Sequence, residues 1–179
     1  MLVVAVFMAA TVTSAQSSTG WEYDESTKTL TLSGDEVDWS GFADYKEKAE
    51  SVVFDNGFSV ETIGSKAFYG FSKLKQIEIP NCVKSIGDMA FYECALTSVI
   101  FSDGLQSIGK QAFYSCKSLT SVTLPASLNR LGDEAFNYCP RLKVVKVLSN
   151  GTSDSKHFIL LGDVRFPKIR TVGNWKNNP

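Results

Sequence analysis

Few residues in this chain have the capacity for chemistry. Its four cysteines, Cys82, Cys94, Cys116 and Cys139, stand a dozen or more positions apart, spacings that do not pair into the short knuckles of a zinc site. The one histidine, His157, lies in a polar, loop-like stretch. With no G-x-S-x-G elbow either, no serine or cysteine has the partner base that nucleophilic catalysis requires. Carboxylates such as Asp88, Asp133 and Glu134 are scattered and read as solvated charges on exposed turns. No P-loop and no G-x-G-x-x-G is present to cradle phosphate. These residues point away from an enzyme, and they predict no metal and no cofactor.

The composition narrows the partners. The chain has 179 residues, 44% hydrophobic and 21% charged, the make-up of one globular domain with small appendages. Eighteen basic side chains against 19 acidic ones give a net charge of -1, so no general field draws in nucleic acid or an anionic membrane. The opening stretch, MLVVAVFMAATVTSA, is an apolar run closing on small residues. It reads as a secretory signal cleaved near Ala15–Gln16, with a buried first strand as the alternative. A membrane-spanning helix needs about 20 apolar residues, and no later run is longer or more apolar, so no transmembrane segment is expected.

The elements that position these residues emerge from a repeat. Ile63-Gly64 with Ala67-Phe68, Ile86-Gly87 with Ala90-Phe91, Ile108-Gly109 with Ala112-Phe113, and Leu131-Gly132 with Ala135-Phe136 recur at even steps, the middle step shorter than the other two by one position. In the same phase run Leu74-x-x-Ile77-x-Ile79, Leu96-x-x-Val99-x-Phe101, Leu119-x-x-Val122-x-Leu124 and Leu142-x-x-Val145-x-Val147. The closing alternation of each is a short strand with one buried face. Pro80 and Pro125 end two of these strands. Each glycine permits a φ that other residues resist and allows close backbone approach. The segment from Gly to Leu is short and predicts one or two α or 3₁₀ turns, with Ala and Phe inward and Lys110 and Lys117 outward.

This period falls within the range of about 20–29 residues that marks a leucine-rich solenoid, in which a single coil cannot bury its apolar stripe and stacked coils can. The fold expected is therefore a leucine-rich-repeat solenoid of the α/β class. Short parallel strands stack on one face, short α or 3₁₀ turns on the other, and an N-terminal β-hairpin caps the array. The hairpin signal is WEYDESTKTLTLSG, two alternating runs around a polar turn. The organisation reads as a signal over 1–15, a cap over 16–48, about four repeats over 49–147, and a loop with a degenerate last repeat, cap or truncation over 148–179.

Within such a stack Cys94, Cys116 and Cys139 occupy one position in successive coils, about 5 Å apart. That separation suits a disulfide, but three cannot all pair and their Cβ vectors run parallel. Buried free thiols and one oxidised pair are the two readings. Cys82, three residues after Ile79, falls at the Asn/Cys position of the leucine-rich repeat and reads as structural. The outward strand positions are Gln76, Glu78, Ser98, Ile100, Ser121, Thr123, Val144 and Lys146. Folding constrains them least, which makes this strip the candidate protein-binding face. Asn150-Gly151-Thr152 is a glycosylation sequon. Weakly capped end coils predict stacking between chains.

At I-G-x-x-A-F-x-x-C-x-x-L-x-x-V-x-L-P, matched most closely by Ile108 to Pro125, the chain resembles the BspA-type leucine-rich repeats. The resemblance covers about Ser51 to Val147, with Phe71 standing where the other repeats carry cysteine. It implies a secreted or cell-surface protein that mediates protein–protein interaction or adhesion to host cells or matrix proteins through the strand face. The alternative is a structural repeat module with no ligand of its own.

Overall fold

The computed structural model of this protein describes residues 20–148 and 157–159. The expected signal, the Asn150 sequon and the terminal repeat beyond residue 159 lie outside the described residues.

The array starts from a hairpin. Strands β1 (Trp21–Asp24) and β2 (Thr29–Leu32) pair antiparallel, Trp21 opposite Leu32. Asp24 closes the turn by accepting from the Ser26 amide at 2.8 Å and the Ser26 hydroxyl at 2.6 Å. A 3₁₀ turn at Ala43–Tyr45 then leads to β3 (Ser51–Phe54), which pairs parallel with β2. The hairpin's second strand is therefore itself the first rung of the parallel stack.

From there each coil contributes one longer strand and one two-residue strand. In chain order these are β4 (Thr62–Ile63), β5 (Gln76–Glu78), β6 (Ser85–Ile86), β7 (Ser98–Ile100), β8 (Ser107–Ile108), β9 (Ser121–Leu124), β10 (Arg130–Leu131) and β11 (Val144–Val147). The two-residue strands form one parallel sheet in the order β10-β8-β6-β4. The longer strands form the strand face: β5 pairs with β7 and β9 with β11, all parallel. The β3 strand lies beside β5 and β7 beside β9, but the sheet ladder is interrupted at these two steps.

The segment after each glycine corrects an expectation. Apart from Ala43–Tyr45, no helix occurs among the described residues; the Ala-Phe segments are turns, and the fold is almost wholly β. The amides of Lys66, Phe68 and Gly70 donate across the stack to the carbonyls of Asp88, Ala90 and Tyr92, at 2.9, 2.7 and 2.8 Å. A helix would have used those donors within its own coil. Between them the chain closes tight turns, Ala67 N to Gly64 O and Phe71 N to Phe68 O, whose third residue must carry a positive φ in a type II geometry. That residue is Lys66, Met89, Gln111 or Glu134 in the first turn, and Gly70, Glu93, Ser115 or Tyr138 in the second. Seven of these eight are not glycine, so these cross-coil bonds are held against a left-handed penalty of about 1–2 kcal/mol per residue.

The repeated glycines work by approach rather than by φ. A Cβ at Gly87 would stand 2.6 Å from Ser65 N, and one at Gly109 would stand 2.7 Å from Asp88 N. At Gly64 it would meet the indole of Trp39 at 2.6 Å, so Trp39 fills the place that a preceding coil would take.

One core runs the length of the stack, from Trp21 to Val145. At its centre Phe68, Phe91, Phe113 and Phe136 stack nearly parallel at 5.0, 5.0 and 5.1 Å. Phe42 extends the column at the N-terminal end, 5.6 Å from Phe68, and packs edge-on against Trp21 and Trp39. Each aromatic pair adds about 0.5–1.5 kcal/mol beyond the area it buries.

Candidate functional site

The outward strip is built by strand alternation. Ile77, Val99, Val122 and Val145 point into the core, so their strand neighbours face solvent. The register sets Gln76 beside Ser98 and Glu78 beside Ile100. It sets Ser121 beside Val144 and Thr123 beside Lys146. Gln76, Glu78, Ser98, Ile100, Ser121 and Thr123 are exposed, whereas Val144 and Lys146 are half-buried. Beside those two runs strand β12 (His157–Ile159), antiparallel to β11, with His157 opposite Lys146. The polar sequence around His157 suggests a loop; the residue instead belongs to a strand that covers the edge of the sheet.

The strip is not uniform. Where the ladder opens between β7 and β9, a depression of about 260 Å³ is lined by Val99, Ile100, Phe101, Thr123, Pro125 and Leu148. Ile100 stands at its rim with 60% of its surface exposed. The arrangement offers a largely apolar socket with Thr123 in its lining, on a strip that also carries the hydroxyls of Ser98 and Ser121, a carboxylate at Glu78 and an ammonium at Lys146 toward opposite ends. Such a surface can dock an apolar side chain and hydrogen-bond the backbone beside it.

The remaining candidates have structural partners. Asp88 accepts from the Lys110 amide of the next coil at 2.8 Å, and Glu134 accepts from the Gln111 side chain at 2.6 Å. The thiols of Cys94, Cys116 and Cys139 are free and donate to the carbonyls of Phe68, Phe91 and Phe113 at 2.9, 3.2 and 3.2 Å. Cys82 likewise donates to Phe58 O at 3.5 Å. Burial pushes the Cys94 thiol up to about 12 and Cys139 to about 11. It raises Cys116 further, with the neighbouring thiols Cys94 and Cys139 adding to the effect. A cysteine there is a small donor that stays protonated, not a nucleophile. Among the described residues no group of three His, Cys, Asp or Glu is placed to hold a metal, and no helix is long and apolar enough to cross a membrane.

Residues 38–158 match the model of the BspA type leucine-rich repeat region, in six copies. This chain belongs to that family. The first copy begins close to Trp39 and Phe42, ahead of the four registers legible as Ile/Leu-Gly with Ala-Phe. Among solved structures, the pneumococcal vaccine antigen PcpA is 36% identical over 56% of this chain and 25% of its own, with a TM-score of 0.52. A leucine-rich repeat protein from Eubacterium ventriosum is 18% identical over 74% of this chain and 43% of its own, with a TM-score of 0.55, and supports the fold. One from Bacteroides capillosus is 32% identical over 72% of this chain and 93% of its own, with a TM-score of 0.48. The chain thus spans less than half the length of the first two. No curated protein matches.

Two features escaped the sequence reading. The depression arises from an interruption between strands, which no residue pattern announces. A column of surface tyrosines, half-buried at its centre, had a signal, because Tyr69, Tyr92 and Tyr114 each follow the phenylalanine of the Ala-Phe pair.

Proposed function

We propose that this BspA-type repeat domain is a secreted or cell-surface module that binds another protein through its strand face and performs no catalysis. The ligand class that fits the family is a host-cell surface or matrix protein. The reading is carried by the strip itself: six exposed outward residues on either side of an interrupted ladder, where an apolar depression is rimmed by Ile100. Solenoids of stacked repeats bind through such extended faces, and an apolar socket with hydroxyls around it has the make-up of an interface core and rim. The apolar N-terminal run supports export, and the likeness to a pneumococcal vaccine antigen supports exposure on a cell.

The test is saturable binding of the purified protein to epithelial cells and immobilised matrix proteins, beside a Ser121→Arg/Thr123→Glu variant. Both positions are exposed, so the variant keeps the stability of the parent to within about 0.5 kcal/mol. Binding by the parent and its loss in the equally folded variant support the reading. Absence of saturable binding by the parent, or full binding by the variant, overturns the strand face as the site.

A further inference from the structure

Beside the buried phenylalanines runs a second aromatic column, half-buried at Tyr92 and Tyr114 and exposed at its two ends, Tyr69 and Tyr138. Tyr69, Tyr92 and Tyr114 follow Phe68, Phe91 and Phe113, and their rings stack at 4.9 Å with interplanar angles of 2° and 6°. In the last coil Asn137 takes that place, and Tyr138, one residue later, continues the column at 5.0 Å but tilted by 42°. Tyr69 is 40% exposed and Tyr138 65%. The phenylalanines beside them point into the core, so the column lies on a surface separate from the strand strip.

The geometry restricts what this column can bind. Ring faces within it cover one another, so solvent meets ring edges and a line of phenol hydroxyls. Open faces come at the ends of the column, and at Tyr138 the tilt and the greater exposure present one to solvent. A sugar, which lies flat on an aromatic face, finds little purchase along such a row. Charge favours a cation. Desolvation in the stack raises the Tyr92 phenol, and the carboxylates of Glu93 and Glu134 raise it further. Tyr114 is raised by desolvation first, then by its neighbours Tyr138 and Tyr92, and by Glu134. The ionised side chains acting on these two phenols are thus carboxylates. Glu134 is held in place by Gln111, and the aliphatic stem of Lys46 lies at the other end, near Gly70. A guanidinium matches this set better than an ammonium. It is planar and stacks on an aromatic face, and its fork of donors can reach carboxylate and phenol oxygens together.

We propose that Tyr92, Tyr114 and Tyr138, with Glu93 and Glu134, form a second binding face that takes an arginine-bearing extended segment of a partner protein. This goes beyond the strand-face reading and stands or falls independently of it. The probe is a fluorescein-labelled, end-capped peptide of alternating Arg and Gly, titrated by anisotropy into the full protein at low salt, beside peptides with Lys or Glu in place of Arg. The variants are Tyr138→Ser/Glu134→Gln and the strand-face pair Ser121→Arg/Thr123→Glu. Serine tolerates the backbone at 138, because Ser115 holds the same left-handed conformation one coil earlier. The expected result is saturable binding of the Arg peptide with a Kd below about 1 mM. It is weaker for Lys, absent for Glu, reduced about tenfold by the column variant, and unchanged by the strand-face variant. Equal binding of all three peptides, no saturable binding, or an undiminished affinity in a column variant that melts like the parent would each show that the column only supports the stack.

Discussion

Replacing Gly109 by alanine separates two reasons for a recurring glycine, close approach and backbone freedom. An added Cβ would stand 2.5 Å from Asp88 Oδ1 and 2.7 Å from both Asp88 N and Gly87 C, whereas ordinary contact begins at 3.4 Å. The coils would have to part by several tenths of an ångström, and two bonds span that gap. Gly109 N donates to Ile86 O at 2.8 Å, and Lys110 N donates to Asp88 Oδ1 at 2.8 Å. Overpacking against backbone costs about 1–3 kcal/mol, and weakening those bonds costs about 1 kcal/mol more. The entropy that alanine removes from the unfolded chain returns about 0.4–1 kcal/mol. A net loss of about 1–3.5 kcal/mol is expected. The control is Gly34→Ala, where φ is +78° and nothing lies within 4 Å of the new Cβ, so the left-handed penalty of about 1–2 kcal/mol is opposed only by the same entropy return. Urea unfolding followed by both far-UV circular dichroism and tryptophan fluorescence gives the two values, with coincident curves required because repeat arrays can lose cooperativity. If Gly109→Ala costs no more than Gly34→Ala, the approach argument is wrong.

Phe113→Ala should destabilise the domain by about 3–5 kcal/mol, more than Phe136→Ala, because Phe113 has stacked neighbours on both sides and Phe101 edge-on; urea midpoints compare the two. Trp39→Ala uncovers the Gly64 end of the glycine column and should cost about 3 kcal/mol while leaving the strand-face geometry intact, read as a lowered Tm with unchanged ligand binding at low temperature. The raised thiols set a pH dependence: the unfolded cysteines titrate near 9.0 and the native Cys139 and Cys94 near 11 and 12. The native state thus retains protons that the unfolded chain releases. That stability is whole below about pH 9 and is lost as pH rises through 11 and 12. Urea midpoints at about pH 7 and about pH 10.5 should differ more for the parent than for a Cys94→Ala/Cys139→Ala variant, the parent's midpoint falling further at the alkaline pH; equal changes would contradict the assignment.

The inward half of the structure was legible in the residues. Ile, Val and Leu at the strand positions and Phe in the Ala-Phe pair recur at the period, as does the cysteine after it except where Phe71 takes its place, and burial demands an apolar residue at each of these positions in every coil. The candidate strip followed from the same alternation, except at Val144 and Lys146, where β12 runs alongside, because that pairing depends on a strand outside the repeat. The turns after the glycines are not the helical ones that local preference favours. Short polar segments such as Gly109-Lys110-Gln111 carry no glycine at the left-handed position, so nothing in them announces the observed geometry.

By itself, then, the sequence determined the period, the core column and which strand residues face outward, since all three are set by the residue types in one coil and its copies. The tertiary structure decided the rest. It made β2 the first rung, placed Trp39 over the glycine column, opened the depression between β7 and β9, and brought four tyrosines into one stack. These depend on contacts between distant parts of the chain, where amides and rings of one coil meet those of the next. Such contacts, formed at about 5 Å across the stack, can hold seven non-glycine residues in left-handed turns that no local preference would select.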